Sequence, residues 1–188
     1  SEAEKVLRDL EELVRENEEK SERSLRELEK LVRDNEEKNK EVVKRIKDLA
    51  ERIRRILEEI KDKDTLEKIL RKIDDDARRL LERLERINRE SDERLRRLNK
   101  RNEDLSRESV KRMEELIRDL ERKLDDEDAK RKLEEIRKTL EEVKRRSEDS
   151  NRELRRRLEE VKRRSEKSLR DLEELVRRIK KELDDRSR

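Results

Sequence analysis

The chain has no cysteine, histidine, glycine, proline or aromatic residue among its 188 positions. Each absence removes a class of function. Without cysteine there is no disulfide, thiolate metal site or thiol nucleophile, and the redox compartment is undetermined. Without histidine, the usual acid–base group near neutral pH and the commonest metal ligand are missing. No apolar run approaches the roughly 20 residues of a membrane span, and no targeting segment is visible, so localisation is undetermined. What is present is charge: 62% of residues are charged and only 27% hydrophobic, a profile that usually means disorder. The counterweight is that Leu, Glu, Lys and Arg are strong helix formers, so local preference is helical throughout. The net charge of +3 arises from 60 basic and 57 acidic side chains that are interleaved, so it marks no basic patch.

The apolar residues form a stripe with a long period. Val6, Leu7, Leu10, Leu13 and Val14 are matched by Leu25, Leu28, Leu31 and Val32, then by Val43, Ile46, Leu49 and Ala50, at intervals of 18 residues. The segment LRDLEELVRENEEKS from Leu7 is echoed by LRELEKLVRDNEEKN from Leu25, and EEVKRRSEDS from Glu141 by EEVKRRSEKS from Glu159. Eighteen residues are five turns at about 3.6 residues per turn, which keeps a stripe straight where a seven-residue repeat would impose supercoiling. The expectation is nearly straight helices of about 90 Å at about 1.5 Å per residue.

The phase of the stripe argues against one uninterrupted helix. Positions 3, 7, 10, 14 and 21 and positions 129, 133, 136, 140 and 147 differ by whole repeats, but positions 66, 70, 73, 77 and 84 are displaced by nine further residues. Nine residues are two and a half turns, so the middle stripe would face the opposite way. Reversals near 61–64 and 125–127 account for the break. Asp64-Thr65-Leu66-Glu67 reads as a capping box, and Asp125, Asp126, Glu127 and Asp128 favour the positive end of a third helix. No glycine marks the preceding helix ends. The predicted fold is all-α: one antiparallel, up-down-up three-helix bundle over 1–188. Helix 1 spans about 2–61, helix 2 about 65–124 and helix 3 about 127–185. Each stripe covers about 120° of its helix, which suits one helix facing two others and leaves no second apolar face.

Every Ser and Asn between residues 2 and 186 lies on the apolar stripe. Residues level with one another on helices 1 and 2 have numbers summing to about 125, and on helices 2 and 3 to about 252, if short connections join antiparallel neighbours. Asn17, Ser21 and Ser24 then meet Asn99, Asn102, Ser106 and Ser109, with Ser147, Ser150 and Asn151. A second level gathers Asn35, Asn39, Asn88, Ser91, Ser165 and Ser168. A buried amide or hydroxyl without a partner costs about 1–3 kcal/mol, so two connected hydrogen-bond networks are expected. Their structural role would be to select pairing and alignment, because an 18-residue slide otherwise matches apolar to apolar. Their functional alternative is a polar cavity for a small ligand or ions, but neutral Ser and Asn are poor transition-metal ligands and no aromatic wall is available.

Other groups have structural readings. Asp74-Asp75-Asp76 and Asp125-Asp126 fall on a solvated face or at a helix start, not in a site that would tune their pKa. The runs Lys144-Arg145-Arg146, Arg155-Arg156-Arg157 and Lys162-Arg163-Arg164 are followed by acidic residues and lack any groove-reading motif. Residues 1–40 carry fourteen acidic and ten basic side chains, so the basic middle of helix 3 has a partner bias within the chain. Val110 and Thr139 lie at stripe edges, and Met113 reads as core filling.

The near-ideal 18-residue repeats, the KDKD and DDED connections, the Glu/Lys/Arg surface and the Asn/Ser positions within a Leu/Ile/Val stripe resemble computationally designed helical bundles with buried hydrogen-bond networks. The resemblance covers 1–188 and implies a soluble structural scaffold with no natural activity, not an enzyme, with no catalytic, metal or cofactor residues. The stripe of about 120° favours a monomer, the lack of a second apolar face argues against a membrane partner, and the interleaved charge argues against nucleic acid. Natural spectrin-type repeats share the topology but usually carry buried aromatics. The competing reading is a helix-mediated interaction module that self-associates or takes a further helical partner.

Overall fold

Three helices account for the fold in a computed structural model that describes residues 2–186. Helix α1 runs Glu2–Glu59, α2 Lys63–Lys123 and α3 Glu127–Arg186, and three-residue connections at 60–62 and 124–126 join them into a three-helix bundle. Among the described residues there is no strand and no residue with positive φ. Both helix breaks are therefore made without a left-handed C-cap. Each outgoing helix instead ends on one more helical hydrogen bond, Ile60 N–H to the Ile56 carbonyl at 2.9 Å and Leu124 N–H to the Leu120 carbonyl at 2.9 Å.

The following helix starts on an aspartate in each case. Asp62, not the expected Asp64, caps α2: its carbonyl accepts from Leu66 N–H at 3.0 Å and its carboxylate accepts from the Thr65 hydroxyl at 2.6 Å. The Thr65 hydroxyl, together with the backbone amides of Thr65 and Asp64 and the charge of Lys68, holds the Asp62 carboxyl below its ordinary value of 3.8. Starting one turn before the buried Leu66 places Thr65 where its side chain can reach back to the cap. Glu67, expected to reach back, lies 3.9 Å from Lys63 instead. At α3, Asp126 accepts from the amide of Asp128 at 3.3 Å, and its carbonyl from Lys130 N–H at 3.1 Å.

Contacts divide the chain into two compact units, each taking one stretch from every helix. Unit 1 comprises 1–31 and 93–155, and unit 2 comprises 32–92 and 156–188. In unit 2, Val42, Ile46, Leu49 and Ile53 of α1 pack with Leu66, Leu70, Ile73, Leu84 and Ile87 of α2 and Leu169, Leu172, Val176 and Ile179 of α3. The spacings of three and four residues put each set on one face. In unit 1, Leu7, Leu10 and Val14 pack with Met113, Leu116, Leu120 and Leu124 and with Leu133 and Ile136. Met113 is 1% exposed and fills this core, as its place on the stripe predicts.

Candidate functional site: two polar layers

Unit 2 brings five of its six expected polar residues into one hydrogen-bonded group. Asn39 is the hub. Its amide donates to the Asn35 carbonyl at 2.7 Å, to Asn35 Oδ1 at 3.0 Å and to Asn88 Oδ1 at 3.2 Å. Its own Oδ1 accepts from the Ser165 hydroxyl at 3.0 Å, which also points to the Val161 carbonyl at 3.0 Å. Asn35 Nδ2 donates to Ser91 Oγ at 2.5 Å. All three helices are thereby linked through groups that are nearly inaccessible: Asn39 and Ser165 are each 1% exposed, Asn35 3% and Ser91 8%. Asn88 and Ser168 are partly buried, and no side-chain bond joins Ser168 to the group among the described residues.

The physical reason for so many bonds is local. An amide carries two donors and an acceptor, so one Asn at the centre of three helices can serve neighbours on each. Asn35 and Asn39 are four residues apart and so share a face of α1, which orients the second amide against the first. Among the described residues no buried side-chain nitrogen or oxygen lacks a partner.

Unit 1 receives its ten expected residues differently. Ser24 Oγ donates to Asn102 Oδ1 at 2.9 Å, joining α1 to α2. Asn17, Ser21, Ser24, Asn99, Asn102, Ser109, Ser147, Ser150 and Asn151 are only partly buried, and Ser106, expected on the buried stripe, is exposed. Among the described residues no further side-chain bond connects members of this set. No residue of 15–27, 93–112 or 137–153 is buried, so the aliphatic core of unit 1 is interrupted on all three helices at this level. These polar groups are in reach of water, which satisfies them without a connected network.

A relation missed in reading the sequence explains the contrast. The α2 segment INRES from Ile87 recurs as LSRES from Leu105, so the two polar levels are 18-residue copies on every helix. Asn35, Asn39, Asn88, Ser91, Ser165 and Ser168 correspond to Asn17, Ser21, Ser106, Ser109, Ser147 and Ser150. The hub Asn39 is replaced by the shorter Ser21, and Asn88 by Ser106. Around them, Val42, Leu84 and Leu169 of unit 2 are buried, whereas their counterparts Ser24, Asn102 and Asn151 are polar. Ser106 leaves the interior because the residues around it no longer supply apolar surface to close over it.

Charged groups singled out by their runs have partners. Asp74 accepts from Lys180 at 2.6 Å, Asp92 from Lys162 at 3.3 Å, and Arg157 donates through Nε to Glu36 at 2.9 Å in unit 2. In unit 1, Arg101 Nη2 donates to both oxygens of Glu27 at 3.0 and 3.3 Å, and Arg137 pairs with Glu121. Arg146 and Arg164 pair with Glu142 and Glu160 one turn back at 3.3 Å each. Exposed pairs of this kind are each worth about 0–1 kcal/mol. Thr139 donates to the Glu135 carbonyl at 3.0 Å. Among the described residues no group of acidic side chains is arranged to hold a metal, and no helix is long and apolar enough to cross a membrane.

A shallow groove of about 350 Å³ lies beside Asn88 in unit 2, floored by Leu81, Leu84 and Leu169 and rimmed by Glu85, Arg89, Asp92, Lys162 and Glu166. Its size is at the low end for ligand pockets, about 300–1,000 Å³.

Neither a family model nor a curated protein sequence matches the chain. Among solved structures, one described as "Computationally designed three helix bundle" is similar at a TM-score of 0.44 and 20% identity, covering 98% of this chain and 90% of that one.

Proposed function

We propose that the chain is a designed structural scaffold without catalytic activity, a monomer whose polar residues select the pairing and alignment of its repetitive helices. The observation that carries this is the group centred on Asn39. Asn35, Asn39, Asn88, Ser91 and Ser165 bond mainly to one another, so the chemistry of the most buried polar residues is consumed internally. Polar groups held in this way penalise every alternative alignment that would bury them without partners. The up-down-up course is part of the same proposal. It is supported by partners whose numbers fall along α2 as they rise along α1, from Asn35 with Ser91 to Asn39 with Asn88 and Glu41 with Arg83. Designed origin is supported by the absence of Gly, Pro and aromatics alongside near-exact repeats.

The alignment role is tested by replacing Asn35, Asn39, Asn88, Ser91 and Ser165 together with Leu, Leu, Leu, Ala and Ala. Helix content is expected to persist while size exclusion with light scattering resolves several masses, because register is no longer penalised. A variant that stays a single species with unchanged inter-helix contacts would refute the role. The parent chain is expected at 23.3 kDa.

A second reading, a helix-mediated interaction module, is favoured by the exposure of Leu105 (54%) and Val110 (39%) on α2. A stable parent mass well above one chain would select it.

A further inference from the structure

The relation between the two polar layers extends to the helix that carries them. Ile87 and Leu105 occupy equivalent positions on α2, yet Ile87 is 9% exposed and Leu105 54%. Where Leu81 and Leu84 hold α2 in unit 2, the equivalents in unit 1 are Asn99 and Asn102. A helix within a bundle is stabilised chiefly by its buried apolar face, with propensity a smaller contribution. Over 93–112 that face contains no buried residue, whereas Met113, Leu116 and Leu120 immediately beyond are 1%, 9% and 0% exposed. Across this stretch α2 is joined to α1 by the Ser24–Asn102 bond and the exposed Arg101–Glu27 pair. Few buried apolar contacts and solvent-exposed backbone hydrogen bonds are the marks of a segment that opens at low free energy.

We propose that residues 99–112 of α2 form a gate that opens locally within unit 1 while 113–123 stays packed, fully exposing polar side chains that are half open to water when it is closed. The gate comes from substitution at known positions, not from glycine or a break in the helix. Each polar replacement removes an apolar clamp present in the other copy, and Ser21 and Ser106 remove the amides that would bond across the gap.

Amide hydrogen exchange on the full chain tests this directly. Amides of 99–112 should exchange at least about tenfold faster than those of the equivalent 81–94. The double variant S21N/S106N restores the six residue types found in unit 2. It should slow exchange in 99–112 by about threefold or more while leaving 81–94 unchanged. The variant N99L/N102L restores the two leucine clamps and should slow it independently, so the test survives if one variant folds poorly. Equal protection of the two segments in the parent chain overturns the gate, as does unchanged exchange in a folded variant.

Discussion

The two polar layers have nearly the same sequence pattern and opposite fates. Around Asn39, most amides and hydroxyls are buried and bonded to one another; around Ser21, the equivalent groups are half open to water and one of them, Ser106, is exposed. The difference does not lie in polarity as such, because both layers draw Asn or Ser from all three helices. It lies in the size of the hub and in what surrounds it. One Asn bridging three helices, with the buried Val42, Leu84 and Leu169 nearby on each, makes a connected group, and Ser with polar neighbours on each helix does not. A polar layer is therefore a cooperative object: it becomes buried only when adjacent apolar side chains bring the helices close enough for every donor to find an acceptor.

The comparison is most severely tested by the equivalent pair Ile87 and Leu105. Ile87→Ala should lower unfolding free energy by about 3 kcal/mol through lost transfer energy and a residual cavity, and Leu105→Ala by less than about 0.5 kcal/mol, as for other surface positions. Equal shifts in urea midpoint for the two variants would break it.

The hubs should separate next. Asn39→Ala leaves the buried Asn35 Oδ1 without its donor, and a loss of about 2 kcal/mol is expected. Ser21→Ala should change stability by less than about 0.5 kcal/mol, since water already serves that layer. Chemical denaturation of both variants measures the contrast.

The reverse experiment sharpens it. Converting Ser24, Asn102 and Asn151 to Val, Leu and Leu, the residues of the other copy, should raise stability by about 1–3 kcal/mol if the open layer is short of apolar surface. No gain in melting temperature would mean that unit 1 is limited by something other than its missing clamps.

The smallest effect lies at the α2 cap, away from both layers. Because the folded pKa of Asp62 is depressed, its contribution is fully present above its ordinary value of 3.8 and is lost as pH falls through the lower folded value. In Thr65→Val the carboxyl should titrate closer to 3.8, because the side-chain bond from Thr65 is the largest cause of the shift. Carboxyl chemical shifts followed by NMR across that acid range would reveal it.

Most of the secondary structure was legible before any coordinates. The half-turn displacement of the middle stripe argued for interruptions near 61–64 and 125–127, and the helices break at 60–62 and 124–126. That signal is reliable because period and phase are properties of a single helix. The cap at Asp62 was missed because the KDKD run offers two aspartates one turn apart from plausible partners, and only the Thr65 hydroxyl's position distinguishes them. The candidate polar positions were legible as positions, since Ser and Asn fall on the stripe. Their burial was not. Ser106 and Asn88 occupy the same place on a helical wheel, as do Leu105 and Ile87.

Local chemistry by itself determined that this chain is helical, where its helices break, and which face of each helix is apolar, because these depend on backbone preference and on a period of about 3.6 residues. Tertiary structure alone decided which polar layer closes. Closure depends on side chains brought from three distant stretches of sequence, and a donor on one helix has no meaning until its acceptor on another is within about 3 Å.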